Sequence, residues 1–336
     1  MRSERLVTAG QCICAWAIII CLSAAANAAT RPALPTPPGK LVDLGGHKLH
    51  VNCTGKGRPT VVVENGLGDF SFDWILVHNK VAAVTRICTY DRAGYAWSEP
   101  GPKPRTFAQI NLELRDALVK LHEHGPFVLV GHSYGGPVIR NFAETNPRDV
   151  VGMVLVDAAF EGQRVGIGGG KTMRLGEDAK GRSVPPPHEE MKESDKPAIP
   201  PKEVDAASAM QQHLDPLYKA LPPAEQQLQL WAQALPEIGD AESSQMEWSG
   251  EYFANWLAAP QAGKMGGIPL VVRTRAEGGY DNNQDVSAVQ METERKEGQA
   301  KLVQLSTNSK QIIVHSGHNM NRGRPLAHFL TSAPTN

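Results

Sequence analysis

The chain has 336 residues, with 34 Lys and Arg against 35 Asp and Glu and a formal charge of −1. That balance leaves no basic excess with which to hold a nucleic-acid backbone. The length suits one large α/β domain carrying an insertion.

Residues 1–28 read as a secretory signal. Arg2 and Arg5 form a short basic region, Cys12 to Ala26 is an apolar run, and Ala26-Asn27-Ala28 supplies a small-x-small cleavage pattern. The apolar run is short for a bilayer span. No small residue precedes Cys21 as a lipoprotein site would need, and adjacent twin arginines are absent. The expectation is export to the periplasm or the medium, with no membrane span after cleavage. Residues 29–40 are proline-rich and read as an extended linker. Cys12, Cys14 and Cys21 leave with the signal, so Cys53 and Cys88 remain either as a disulfide or as two separate buried thiols. No cysteine or histidine cluster has zinc-ligand spacing, and no cofactor or metal is expected.

Leu41 to Asp43 and Lys48 to Asn52 flank Gly45-Gly46 and predict a β-hairpin. Thr60 to Glu64 is a β-branched run that predicts a buried strand, ending at Asn65-Gly66-Leu67-Gly68. A helix is expected over Trp74 to Val84, a strand over Arg86 to Tyr90, and a Thr-capped helix over Thr106 to Glu123. The apolar run Phe127 to Val130 leads into Gly131-His132-Ser133-Tyr134-Gly135-Gly136 and a further helical pattern. Val150 to Val156 is another apolar strand, ending at Asp157. Strands alternating with helices imply a mostly parallel sheet covered on both faces, with ligands at the carboxyl ends of the strands.

Residues 161–262 differ in character. Gly166 to Pro201 is rich in Gly, Pro and charge and reads as a surface loop. Pro201 to Trp256 is helical in pattern, with Leu214, Leu221, Leu228, Leu230, Trp231, Trp248, Phe253 and Trp256 as apolar anchors. The core pattern resumes with a strand at Ile268 to Arg273, a polar loop to Asp285, a helix to about Leu305, a strand at Gln311 to Val314 and a closing helix at Pro325 to Leu330.

The serine motif is the chemical centre of this pattern. Gly-x-Ser-x-Gly between a buried strand and a helix is the setting of a nucleophile elbow, where a sharp turn lifts the serine hydroxyl clear of the sheet. Small residues are needed there because side chains would collide with strand and helix.

Together with Asn65-Gly66, Asp91-Arg92-Ala93-Gly94 and Ser316-Gly317-His318, this motif resembles the α/β-hydrolase fold superfamily. The resemblance covers roughly 40–160 and 266–332. It implies an eight-stranded, mostly parallel sheet split into a first core part (41–160), a helical cap or lid (161–262) and a second core part (263–332). One departure is Asn65-Gly66, where many members carry His-Gly; the loop works through backbone N–H groups, so little changes.

The resemblance also implies roles. Ser133 is the expected nucleophile, and His318, in the loop after the last strand, is the expected base; His315 reads as a strand residue and His328 as part of the closing helix, both out of reach. His132 reads as structural. Two places could supply the carboxylate that orients His318: Asp157, at the end of the sixth strand where some members carry it, is preferred, ahead of Glu277 and Asp281, which with Asp285 lie in the loop after the seventh strand where many members carry it. The oxyanion donors would be the backbone N–H groups of Leu67 and Tyr134. Asp91 and Arg92 read as braces of the sheet edge, and the cap tryptophans either shape an apolar pocket or simply pack the cap.

The implied reaction is cleavage of a small-molecule carboxylic ester through an acyl-enzyme. A serine at the elbow argues against haloalkane dehalogenase or epoxide hydrolase chemistry, whose enzymes in this superfamily place an Asp there. The same three residues also serve carbon–carbon, lactone and amide hydrolysis and acyl transfer, and a hydrolase-like binder without catalysis is the alternative of another class.

Overall fold

The computed structural model describes residues 35–168, 170–177, 218–276, 278–280 and 283–322. The signal reading, the first half of the linker (29–34), the closing helix with His328, and both Glu277 and Asp281 lie outside these residues, as does most of the loop expected from Gly166 to Pro201.

Eight strands form one sheet in the order β1-β2-β4-β3-β5-β6-β9-β10. They are β1 (Lys40–Asp43), β2 (Lys48–Thr54), β3 (Thr60–Glu64), β4 (Ile87–Tyr90), β5 (Phe127–His132), β6 (Val150–Val156), β9 (Leu270–Arg275) and β10 (Ser309–Val314). β1 and β2 form the expected antiparallel hairpin, β2 runs antiparallel to β4, and the remaining six strands are parallel. A separate two-stranded hairpin, β7 (Arg164–Gly168) and β8 (Lys171–Arg174), begins where a surface loop was expected.

The parallel strands read as unbroken apolar runs because both faces are buried. Leu129 of β5, Leu155 of β6 and Val272 of β9 face Ile139 and Phe142 of helix α3 (Gly135–Thr145) and Leu302 of α6 (Ala288–Val303). Their neighbours Val130 and Val156 point the other way, onto Trp74 and onto Val77 and Val81 of α1 (Ile75–Ala82). Two side chains in succession thus enter two different cores, as a strand's period of two demands. Helix α2 (Phe107–Lys120) begins where expected, with the Thr106 hydroxyl accepting from the Gln109 amide at 3.0 Å.

Helices α4 (Pro223–Gln233) and α5 (Glu237–Leu257) lie beside the loops that leave β3 and β4. Ala232, Ala241, Leu228 and Trp231 pack with Phe70, Phe72, Tyr95 and Trp97. Phe253 and Trp256 pack with Phe107 and Val138. Trp231 meets Trp97 with ring centroids 5.2 Å apart, and Trp256 stacks on Phe107 at 6.1 Å with Arg140 over its ring at 4.0 Å. Both tryptophans are therefore packing residues.

Cys53 and Cys88 are joined by a disulfide across directly paired positions of β2 and β4. Among the described residues no helix is long and apolar enough to cross a membrane.

Candidate active site

β5 ends at His132 and α3 begins at Gly135, so Ser133 stands at the bend with φ 50, the left-handed region an L side chain rarely adopts. Neighbouring backbone holds it there. The Ser133 amide donates to the Val156 carbonyl at 3.1 Å, and its carbonyl accepts from Gly136 at 3.0 Å and Ala159 at 2.9 Å. A Cβ at Gly131 would come within 2.6 Å of the Gly135 carbonyl oxygen, and one at Gly135 within 2.6 Å of that of Asn65. Both glycines are thus required by close backbone approach.

His318 follows β10, and its Nε2 lies 3.0 Å from Ser133 Oγ, placed to accept the hydroxyl proton. Its Nδ1–H donates to Asp157 Oδ2 at 2.6 Å. Asp157, immediately after β6, has φ 40 and is only 4% exposed. The same Oδ2 also accepts from Arg275 Nη1, and Arg295 Nη1 stands 3.6 Å from Oδ1. Burial opposes the charged carboxylate, but the bonded His318 and the two guanidiniums outweigh it and hold Asp157 down to about 2. Burial lowers the His318 pKa below its ordinary value, with help from His132 and Arg275 and against the pull of Asp157. His318 is therefore a neutral acceptor near pH 7.

The loop after β3 is held from below by Arg92, which is fully buried. Its guanidinium donates to Glu64 Oε1 at 2.7 Å and to the carbonyls of Asn65 at 2.7 Å and Gly66 at 2.6 Å. Asn65 Nδ2 donates to the Tyr90 carbonyl at 2.6 Å, and the Gly66 amide donates to Asp69 Oδ2 at 3.2 Å. The carbonyls of Asn65 and Gly66 are thus committed to Arg92. Among the described residues neither the Leu67 nor the Tyr134 amide has an acceptor, the state needed to receive an oxyanion.

A second layer supports the His318 loop. His132 Nδ1 lies 2.8 Å from Asp69 Oδ2, and its Nε2 lies 3.0 Å from the His318 carbonyl. Arg322 donates to Asp69 Oδ1 and, at 3.0 Å, to Asp73 Oδ1. Burial disfavours the Asp69 charge, yet Arg322 and His132 bring its pKa well below the usual carboxylate range.

These groups border a cleft of about 480 Å³ that contains Ser133, His318, Leu67 and, from the helices above, Gln233, Ile238 and Glu242. No tryptophan of α4 or α5 lines it. Cys53, Cys88 and Glu123 bring metal-ligand atoms within 4.8 Å, but both sulfurs are committed to the disulfide, leaving a single carboxylate.

The structure therefore brings Ser133, His318 and Asp157 into one chain of contacts, with Leu67 and Tyr134 beside it. Asp285 is elsewhere: it accepts from the Thr172 hydroxyl at 2.8 Å. His315 lies just beyond the end of β10 rather than inside a strand, because the ladder with β9 stops at Val314. Arg92 braces the loop after β3, whereas Asp91 does the edge work, accepting from Ser71 and facing His50 Nδ1 at 2.7 Å. Sequence reading missed Asp69, Arg275 and Arg322, which carry no motif. The available signal was a charged residue ending an apolar strand, as at Arg275, which must find a partner when buried.

An alpha/beta hydrolase family model matches residues 61–327, and the chain belongs to that family. A thermophilic esterase from Thermogutta terrifontis superposes with a TM-score of 0.54 at 17% identity, covering 85% of this chain and 92% of that one. The epoxide hydrolase CorEH superposes at 0.56 and 16% identity, covering 87% and 96%. One fold thus serves different reactions, and at these identities the likeness speaks for the fold. Among curated proteins, a 129-residue stretch is 35% identical to "Probable transporter efuK" from Hormonema carpetanum. It covers 36% of this chain and 18% of that protein.

Proposed function

We propose that this protein is an exported serine hydrolase that cleaves a small-molecule carboxylic ester through an acyl-enzyme. The observation that carries the reading is the continuous set of contacts Ser133 Oγ to His318 Nε2 at 3.0 Å and His318 Nδ1 to Asp157 Oδ2 at 2.6 Å. As His318 takes the hydroxyl proton, Ser133 Oγ bonds to the ester carbonyl carbon and the carbonyl π bond opens to an oxyanion. The Leu67 and Tyr134 amides receive that charge. The carbon–oxygen bond to the alcohol then breaks, with His318 returning the proton to the leaving oxygen. Water, deprotonated by His318, attacks the acyl-serine in the same way and releases the acid. Asp157 keeps the Nδ1–H tautomer of His318 and stabilises the imidazolium formed at each step.

A serine rather than a carboxylate at the elbow favours acyl transfer over the alkyl-enzyme route of epoxide opening. Export is supported by the signal-like residues 1–28 and by the Cys53–Cys88 disulfide, a bond that persists in oxidising compartments. Residues 161–262 act as the cap in this reading.

The test is labelling by a fluorophosphonate probe together with turnover of p-nitrophenyl esters of graded acyl length. Wild type should label and turn over, and Ser133→Ala should do neither; equal behaviour of the two proteins would sink the assignment.

A further inference from the structure

One carboxylate on the cleft wall stands outside every hydrogen bond and ion pair of the described residues. Glu242, on α5, lines the same cleft as Ser133 and His318 and is half-buried. Among the described residues it makes no hydrogen bond or ion pair. The neighbouring charges are all committed. Asp69 is held by His132 and Arg322. Arg92, the nearby cation, is held by Glu64, Asn65 and Gly66.

The approach of Glu242 to the oxyanion loop is built into the backbone. Gly68 has φ +73, and a Cβ there would stand 2.9 Å from Glu242 Oε1. Glycine at 68 therefore lets the carboxylate sit against the loop that carries Leu67. Burial raises the Glu242 pKa, with Arg92 opposing and Asp69 adding to the rise, which marks the position as one where a lone negative charge is unfavourable. A half-desolvated carboxylate without a partner is costly to the empty protein, and a cationic ligand removes that penalty on binding.

We propose that Glu242 selects the substrate: the ester cleaved here carries an ammonium or comparable cationic group on the part that rests against Gly68 and Glu242. This inference rests on the ester-hydrolase reading for its reaction, and on the cleft geometry alone for its charge.

Two pairs of esters of near-equal shape separate charge from size. On the alcohol side, 2-(trimethylammonio)ethyl acetate is compared with 3,3-dimethylbutyl acetate. On the acyl side, the p-nitrophenyl ester of 4-(trimethylammonio)butanoate is compared with that of 5,5-dimethylhexanoate. Wild type should favour the cation in at least one pair by on the order of tenfold in kcat/KM. In Glu242→Gln the ratio should fall toward one, with an unchanged thermal melt showing that the fold is intact. A wild-type ratio near one in both pairs, or a ratio that survives in Glu242→Gln, overturns the proposal.

Calorimetric titration with choline against 3,3-dimethylbutanol reads the same charge preference without turnover. Tighter binding of choline that disappears in Glu242→Gln supports the site even if Ser133 fails to label, in which case only the hydrolase reading falls. Equal binding of both alcohols, with Ser133 labelled, removes the cation site and leaves the hydrolase.

Discussion

Asp157 Oδ2 serves two donors at once, His318 and Arg275, and this sharing sets the chemistry of the pair. The Arg275 guanidinium also stands 3.3 Å from His318 Nδ1 and lies over the Tyr280 ring at 5.2 Å. It drains part of the negative potential that would otherwise raise the base. The groups facing His318 are Asp157, Arg275 and His132, with Asp69 and Arg322 behind His132. Because the folded His318 pKa is lowered, the acid limb of kcat/KM should have its midpoint below 6.5. Arg275→Gln should move that midpoint upward and Arg275→Lys should keep it low; pH–rate profiles of the three proteins decide the point.

Asp157→Asn should lower kcat by on the order of 10⁴ while the protein stays folded, whereas Glu277→Gln and Asp281→Asn should leave kcat near wild type. Steady-state kinetics on all three, beside urea unfolding, separates them. A depressed Asp157 pKa also stabilises the fold. That contribution is present above the unfolded value of about 4 and is lost as pH falls through about 2.

At the scale of elements, the elbow and the loop after β3 are one assembly. Gly135 presses against the backbone of Glu64 and Asn65, and Arg92 ties the same residues from the other side. Glu64 is fully buried; desolvation raises its pKa, with Arg92 and Tyr90 opposing the rise. Arg92→Met removes the cation and strands Glu64, which should destabilise the protein by about 3–5 kcal/mol in urea denaturation. Adding Glu64→Gln should recover part of that loss. Activity should stay low in the double variant, because Asn65 and Gly66 still lack their clamp. Full recovery of kcat would show that the loop does not depend on Arg92.

For the whole molecule, the disulfide closes a loop spanning a sequence separation of 35 between β2 and β4. Loop-closure entropy of that length corresponds to about 4 kcal/mol, so the Cys53→Ala/Cys88→Ala pair should lower urea stability by roughly 3–4 kcal/mol. Unfolding with and without reductant provides a second measure: wild type should respond to reduction and the double variant should not. Expression into an oxidising compartment should accordingly yield more folded protein than expression into a reducing one.

How much of this was legible in the chain depends on the range of the interaction. The parallel sheet, the hairpin, the Thr106 cap and the strand–turn–helix at Ser133 follow from residues a few positions apart, since burial on both faces writes apolar runs and a sharp bend admits only glycine. His318 could be placed because a single loop after the last strand carries it.

The tertiary structure alone decided the rest. The contact of His318 with Asp157 joins residues 161 positions apart, a pairing that no local pattern announces. Arg275, Arg322 and Asp69 carry no local signature, since a buried charge is defined by the partner it meets. The tryptophans of α4 and α5 and Glu242 show the same limit from opposite sides. Helical spacing is alike for a side chain that packs and for one that faces the cleft, and only the fold, by seating α5 beside Gly68, determines which is which.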